Sequence, residues 1–270
     1  MTQEKKQTNI PAFAGIVILL SVLVGWIMYH FVLGSPGNFE GGSPENKPLN
    51  GNFLGTMYKG GWIVPILIGI LFIVFTFTIE RLITIMRAKG KGSVQPFVRK
   101  VRELLSQGDI KAAIGECDKQ RGVVANVIRS GLLKYEQVEH ETVLDKEAKV
   151  AAIQKSLEEA TALELPMLSK NLVIISTCAS ISTLVGLLGT VLGMIRAFAA
   201  LAQAGAPDAI GLATGISEAL INTMLGILAA ALGIIFYNLF NNMIDGLTYG
   251  MDEAGFSIVQ TYSATHKERE

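Results

Sequence analysis

The chain has 270 residues, half of them hydrophobic and only 17% charged, and its formal net charge is zero. Few soluble domains are so apolar, and a neutral total offers nucleic acid no basic surplus to bind. A spanning helix needs about 20 mostly apolar residues, and four stretches supply one, so the composition points to an all-α, polytopic membrane protein in contact with lipid.

Residues 1–10 carry Lys5 and Lys6 and lead into an uncharged run from Pro11 to Leu33. A short basic region before an apolar run is also the pattern of a cleaved signal peptide. Here the run is longer than a signal core and no small-x-small site directly follows, so residues 11–33 are read as a retained transmembrane helix. Residues 34–60 are rich in Gly, Pro and Asn and read as an external loop with little regular structure. The second span, 61–86, is uncharged from Trp62 to Ile79.

Arg81, Arg87, Lys89, Lys91, Arg99, Lys100 and Arg102 follow that span closely, whereas the preceding loop holds only Lys47 and Lys59. The positive-inside rule then puts residues 87–168 in the cytoplasm, the 34–60 and 201–211 loops in the periplasm, and both termini in the cytoplasm. Residues 87–168 read as a helical domain. One helix runs from Val94 to Ser106, Asp109 caps the next, and a third covers Val123 to Tyr135. From Val138 the apolar residues keep helical spacing without a glycine. That pattern predicts a helix able to continue into the third span, 169–200, with Pro166 as a kink. The fourth span is 212–240, and a helical tail, 241–270, follows it.

The last two spans form a hairpin about a short outer loop centred near Ala206. Counting outward from that centre places Thr190 and Thr223 at nearly equal depth and Glu218 level with Met194 and Arg196. Glu218 is the most informative residue, because a carboxyl inside a span costs about 2.5–3.5 kcal/mol on insertion scales and so faces a bundle interior or a water-filled path. It reads as part of an ion or proton pathway, or as one half of an intramembrane ion pair with Arg196 that ties helices together. Asn222, four residues on, shares its face and is within reach of a hydrogen bond to it. A membrane threonine more often bonds its own helix backbone than lines a pore. In an oligomer, however, two threonines at one depth become stacked polar rings of the sort that line pores. Gly186, Gly189 and Gly193 on the third span, and Gly215, Ala219 and Gly226 on the fourth, have the small-residue spacing of close helix packing.

The chain has no Gly-x-x-x-x-Gly-Lys phosphate loop, no Cys/His cluster at metal spacing, and no membrane histidine or lysine placed to activate Ser217. It reads as a protein that is not an enzyme and needs no cofactor or metal. Cys117 and Cys178 fall in the cytoplasm and the membrane, so no disulfide is expected.

The segments LVGLLGTVLGMIRAF (184–198) and GISEALINTMLGILAAALGIIFYN (215–238) resemble the two signature helices of the ExbB/TolQ/MotA proton-channel family, and its ExbB branch most closely. Weaker agreement in GDIKAAIGECDK, VVANVIRSGLLKY and the span before them extends the resemblance over about residues 60–240. It implies a homopentamer in the bacterial inner membrane with a central pore that encloses the helices of an ExbD-type single-span partner. It also implies a molecular motor that uses the proton motive force to drive a TonB-type periplasm-spanning protein. Motif by motif, Thr190, Thr223 and Glu218 match the family's pore-lining positions. A TolQ-like envelope role, a MotA-like stator and a non-conducting scaffold are the alternatives. Two features depart from the family pattern: the additional helix at 11–33, and Asn222, where a small apolar residue is usual.

Overall fold

In a computed structural model of the chain, residues 10–202 and 208–265 are described. Lys5, Lys6, His266 and the centre of the 201–211 loop lie outside them. Among the described residues there is no β-strand, only an isolated bridge between Phe39 and Pro48. The helices are α1 (Ile10–Ile27, extended by a wider turn over Met28–Leu33), α2 (Phe53–Tyr58), α3 (Val64–Ala88), α4 (Val94–Ser106), α5 (Ile110–Gln120), α6 (Val123–Glu139), α7 (Lys146–Ser169), α8 (Leu172–Leu201) and α9 (Ala209–Thr265). Four of the helical stretches are long and apolar enough to cross a membrane, and the protein is an all-α, polytopic membrane protein.

The chain divides into two compact units. The first holds α1, the 34–61 segment, α3 up to Ile79, α8 from Val173 and α9 up to Tyr237. Leu19, Phe31, Leu184, Val191, Phe198, Leu220 and Ile227 stand exposed on its helices, which suits a lipid solvent and would be costly in water. Lipid tails are as apolar as leucine, so helix association here has to come from close packing and hydrogen bonds. Glycine provides the first. A Cβ at Gly25 of α1 would lie 2.5 Å from the Pro65 carbonyl oxygen and 2.7 Å from the Gly69 nitrogen, so α1 and α3 cross backbone to backbone.

The 34–61 segment, expected to be irregular, is instead an ordered cap built on asparagine side chains. Asn38 donates to the carbonyls of Val32 and Leu33 at 2.7 and 2.9 Å, and accepts from Asn52. Asn52 in turn caps α2 by accepting from the Gly55 amide. Tyr58 stacks on Tyr29 with ring centres 4.6 Å apart, while Phe39 meets Tyr58 edge-on. Glycine and asparagine signal a break in regular structure, but side-chain amides that satisfy buried backbone carbonyls can order such a segment tightly.

The second unit holds the end of α3, α4 to α7 and α9 from Asn238. Its core includes Val101, Ala113, Ile128, Leu132, Ile153, Met251 and Ile258. Gly131 of α6 lets Leu157 of α7 approach to where a Cβ would be, and Arg102 bonds Glu253 and Ser257. The Cys117 thiol is buried there, which pushes its pKa up to about 12, and the Asp118 carboxylate adds to the effect. Cys117 and Cys178 are both free thiols.

Two departures from the spacing-based reading occur here. The helix expected from Val138 stops at Glu139 and restarts at Lys146, where Asp145 accepts from the Ala148 amide as an N-cap. The rod through Pro166 is also broken. α7 ends at Ser169, Asn171 adopts φ +64°, and α8 starts afresh. Arg81, only 3% exposed, donates to the carbonyls of Met167 and Leu168 and is braced by Glu80. A buried guanidinium on the last carbonyls of α7 makes a stable stop there.

Candidate functional site

In the first unit α8 and α9 pack antiparallel along a seam of small residues. A Cβ at Gly193 would lie 2.6 Å from the Ala219 nitrogen, and one at Gly186 would lie 3.0 Å from the Gly226 Cα. Gly215 meets Ala197 at 2.6 Å in the same sense, and Gly233 meets Ala179. Contacts this close leave no room for a side chain at these glycines, and they fix the helices in one register. Polar side chains at matched depth then meet.

Thr190 and Thr223 touch hydroxyl to hydroxyl across the seam. Each hydroxyl also lies within hydrogen-bond distance of its own helix backbone, Thr190 at 3.2 Å from the Gly186 carbonyl and Thr223 at 3.1 Å from the Ala219 carbonyl, and with one proton each, one threonine donates to its partner and the other to its backbone. The two readings of the threonines, back-bonded and paired, therefore hold together in this geometry. Glu218 lies five residues before Thr223, about 7.5 Å along a helix axis. Its residue exposure is 4%, and both carboxylate oxygens accept from Arg196 Nη1, at 2.5 and 2.7 Å. The Arg196 side chain is 53% exposed, so the pair has one covered partner and one open one.

Asn222 is fully buried against Gly189, whose missing side chain makes the room it occupies. Its amide does not bond Glu218, the partner considered from spacing. It donates instead to the Gly60 carbonyl at 2.9 Å, and its Oδ1 has no partner among the described residues. The reason is the turn that leads into α3. Gly61 sits at φ +78°, and a Cβ there would lie 2.4 Å from Glu218 Oε1. Only glycine tolerates both that backbone and that approach. Gly60 and Gly61 thus lie directly on Glu218 and Asn222, a third element at the site that the sequence reading did not include. Nothing local in the sequence pointed to them, because a glycine pair before an apolar run reads only as a turn. Among the described residues no group of three or more His, Cys, Asp and Glu side chains is placed to hold a metal ion.

The arrangement puts a carboxylate, a guanidinium, a carboxamide and two hydroxyls on two membrane helices. Such groups are costly in lipid and are kept where they pair or line a path for ions. The sequence model of the MotA/TolQ/ExbB proton channel family matches residues 119–253, which include α8, α9 as far as Glu253 and every residue of this site except Gly60 and Gly61. A putative biopolymer transport protein, ExbB-like 3, of Synechocystis is 33% identical over 124 residues, covering 45% of this chain and 59% of the relative. The Tol-Pal system protein TolQ of Pseudomonas aeruginosa is 31% identical over 118 residues, 44% of this chain and 51% of the relative. Biopolymer transport protein ExbB of Pseudomonas putida is 27% identical over 179 residues, 65% of this chain and 54% of the relative. The chain therefore spans between half and three fifths of the length of these relatives.

Proposed function

From the premise that the chain belongs to the MotA/TolQ/ExbB proton channel family, we propose that it is the multi-pass, channel-forming subunit of an inner-membrane motor driven by the proton motive force. On this reading it assembles as a homopentamer around an ExbD-type single-span partner, and it energises a TonB-type protein for transport across the outer membrane. Thr190, Thr223, Glu218 and Asn222 line the proton path. Both loops face the periplasm, and residues 87–168 with both chain ends face the cytoplasm. The observation that carries the reading is the hydroxyl contact of Thr190 with Thr223 one stretch of helix away from the Glu218–Arg196 pair. Relayed proton transfer needs groups that both give and take hydrogen bonds, and threonine hydroxyls do both.

Support for the ExbB assignment comes from relatives of that name in Pseudomonas putida and Salmonella typhimurium. A TolQ-like role in envelope maintenance is the second reading, favoured by the TolQ proteins of Pseudomonas aeruginosa and Haemophilus influenzae at 31% and 36% identity. Complementation separates them, since restored siderophore-type uptake in a strain lacking its own ExbB-type protein supports the first reading and restored detergent resistance in one lacking TolQ supports the second.

The path itself is tested in proteoliposomes that hold the chain with its partner under an imposed potential. Proton uptake is expected in the unaltered protein and to fall about tenfold or more in Thr223→Val and Glu218→Gln. Uptake unchanged by both substitutions would show that these residues do not line the path.

A further inference from the structure

Glu218 and Asn222 have a feature that proton conduction alone does not require. They lie four residues apart on one face of α9, and they carry oxygens of the kind that hard cations bind: two carboxylate oxygens on Glu218, and a fully buried Asn222 Oδ1 that has no partner among the described residues. Hard cations take several such oxygens at once. On the Glu218 carboxylate stands Arg196, whose Nη1 contacts both of its oxygens. Covered by Gly61, Glu218 has little room for a further ligand on that side.

We propose that Arg196 is the selectivity residue of the pathway, keeping sodium off Glu218 so that protons alone are carried. The inference rests on the pathway reading above and names what that reading leaves open, the choice between two ions that a membrane gradient can supply. What separates them is the number of oxygens each needs, since the guanidinium charge repels a sodium ion and a hydrated proton alike. A guanidinium carries a permanent charge, and at the distance of a hydrogen bond it repels a cation that would sit on the same carboxylate. It also occupies lone pairs that a sodium ion would need, because sodium keeps no covalent bond and must replace its water shell with protein oxygens. A proton needs one lone pair. A carboxylate has about four such positions, so those that Arg196 leaves remain open to a hydrated proton, which transfers to one oxygen and leaves a water molecule behind.

The test is sodium binding by the purified full-length chain in lipid nanodiscs, read by sodium-23 NMR line broadening and by melting temperature in sodium against N-methylglucamine. The unaltered chain is expected to show neither effect. Arg196→Gln is expected to show both, with saturation, and to lose them again when Glu218→Gln or Asn222→Leu is added. With the partner present in proteoliposomes, Arg196→Gln should raise sodium-22 uptake roughly tenfold or more over the unaltered chain, about 1.4 kcal/mol of discrimination or above. Arg196→Lys, which keeps a cation beside Glu218, should stay blind to sodium.

Sodium binding by the unaltered chain that Glu218→Gln abolishes would overturn the proposal, as would an assembled Arg196→Gln that still binds none. Should Arg196→Gln not assemble, the unaltered chain and Arg196→Lys decide: both blind supports the proposal, and sodium bound by either overturns it. Binding is measured without any flux, so it stands apart from the proton-uptake test, in which unchanged uptake by Thr223→Val and Glu218→Gln sinks the pathway itself.

Discussion

Along the α8–α9 seam the helices touch through glycine backbone, and the polar residues carried on those helices fall into pairs: Thr190 with Thr223, Glu218 with Arg196. At the end of α1 the contacts are of another kind. There a wider helical turn closes with Gly34 donating to the Tyr29 carbonyl, and Tyr29 reaches over to stack on Tyr58 and donate to its carbonyl at 3.1 Å. Asn38 and Asn52 complete the cap with side-chain hydrogen bonds. The seam residues of the hairpin fall within residues 119–253, matched by the family, and α1 with its cap falls outside them. Yet the cap ends in Gly60 and Gly61, which lie on Asn222 and Glu218. One region specifies position by exclusion of side chains, the other by adding them. The first tolerates no added atom, whereas the second should lose stability in steps as its bonds are removed.

The comparison breaks most sharply at Gly193. Its neighbours are backbone atoms, the Ala219 nitrogen at 2.6 Å and the Gly215 oxygen at 2.7 Å from an added Cβ, and backbone cannot swing aside as a side chain can. Gly193→Ala is expected to cost about 3 kcal/mol, the upper end for over-packing, and to scatter both polar pairs by separating the helices. Thermal melting and oligomer size in lipid check it. A protein that melts and assembles normally would mean that the seam has slack the geometry denies.

How much of this was legible without coordinates differs between the same two regions. The hairpin was largely readable, because glycine spacing marks a packing face and a short loop sets the register of two antiparallel helices. Counting from Ala206 is enough to bring Thr190 level with Thr223 and Glu218 level with Arg196. The cap was not readable. Asn38, Asn52, Gly60 and Gly61 are residues that signal loops, and nothing local says that an asparagine amide will find Val32 O or that a glycine pair will cover a carboxylate more than 150 positions later in the chain. The partner of Asn222 was missed for that reason: its helical neighbour Glu218 was visible in the spacing, and Gly60 was not. The stop after Ser169 was hidden likewise, since it depends on Arg81, a distant residue that supplies donors to the helix end.

The cap breaks next at Asn38, in a graded way. Asn38→Ala removes two donors from buried carbonyls and one acceptor from Asn52, for an expected loss of about 2 kcal/mol. Asn38→Asp should be worse than Ala despite its similar shape, because it sets a carboxylate against the carbonyl oxygens of Val32 and Leu33 and keeps only the acceptor for Asn52. Limited proteolysis within residues 34–60 measures both, with cleavage expected to rise in the order unaltered, Ala, Asp. If Asp proves the milder change, the amide donors are not what orders the cap.

Tyr29→Phe is the finest of these changes and separates the two forces at the end of α1. It deletes one hydroxyl and its 3.1 Å bond to the Tyr58 carbonyl, leaving the stacked rings in place. A single half-buried neutral hydrogen bond contributes about 1 kcal/mol, and an aromatic pair about 0.5–1.5 kcal/mol beyond the area it buries. Phe should therefore lower stability by about 1 kcal/mol, and Tyr29→Leu by about twice that, with proteolysis of the cap as the readout in each case. Because Gly60 and Gly61 close that same cap onto Asn222 and Glu218, the two variants should also differ in proton uptake in the same order. Equal uptake in both, with the cap loosened in both, would mean that the hairpin alone holds the site and that α1 only supports the loop.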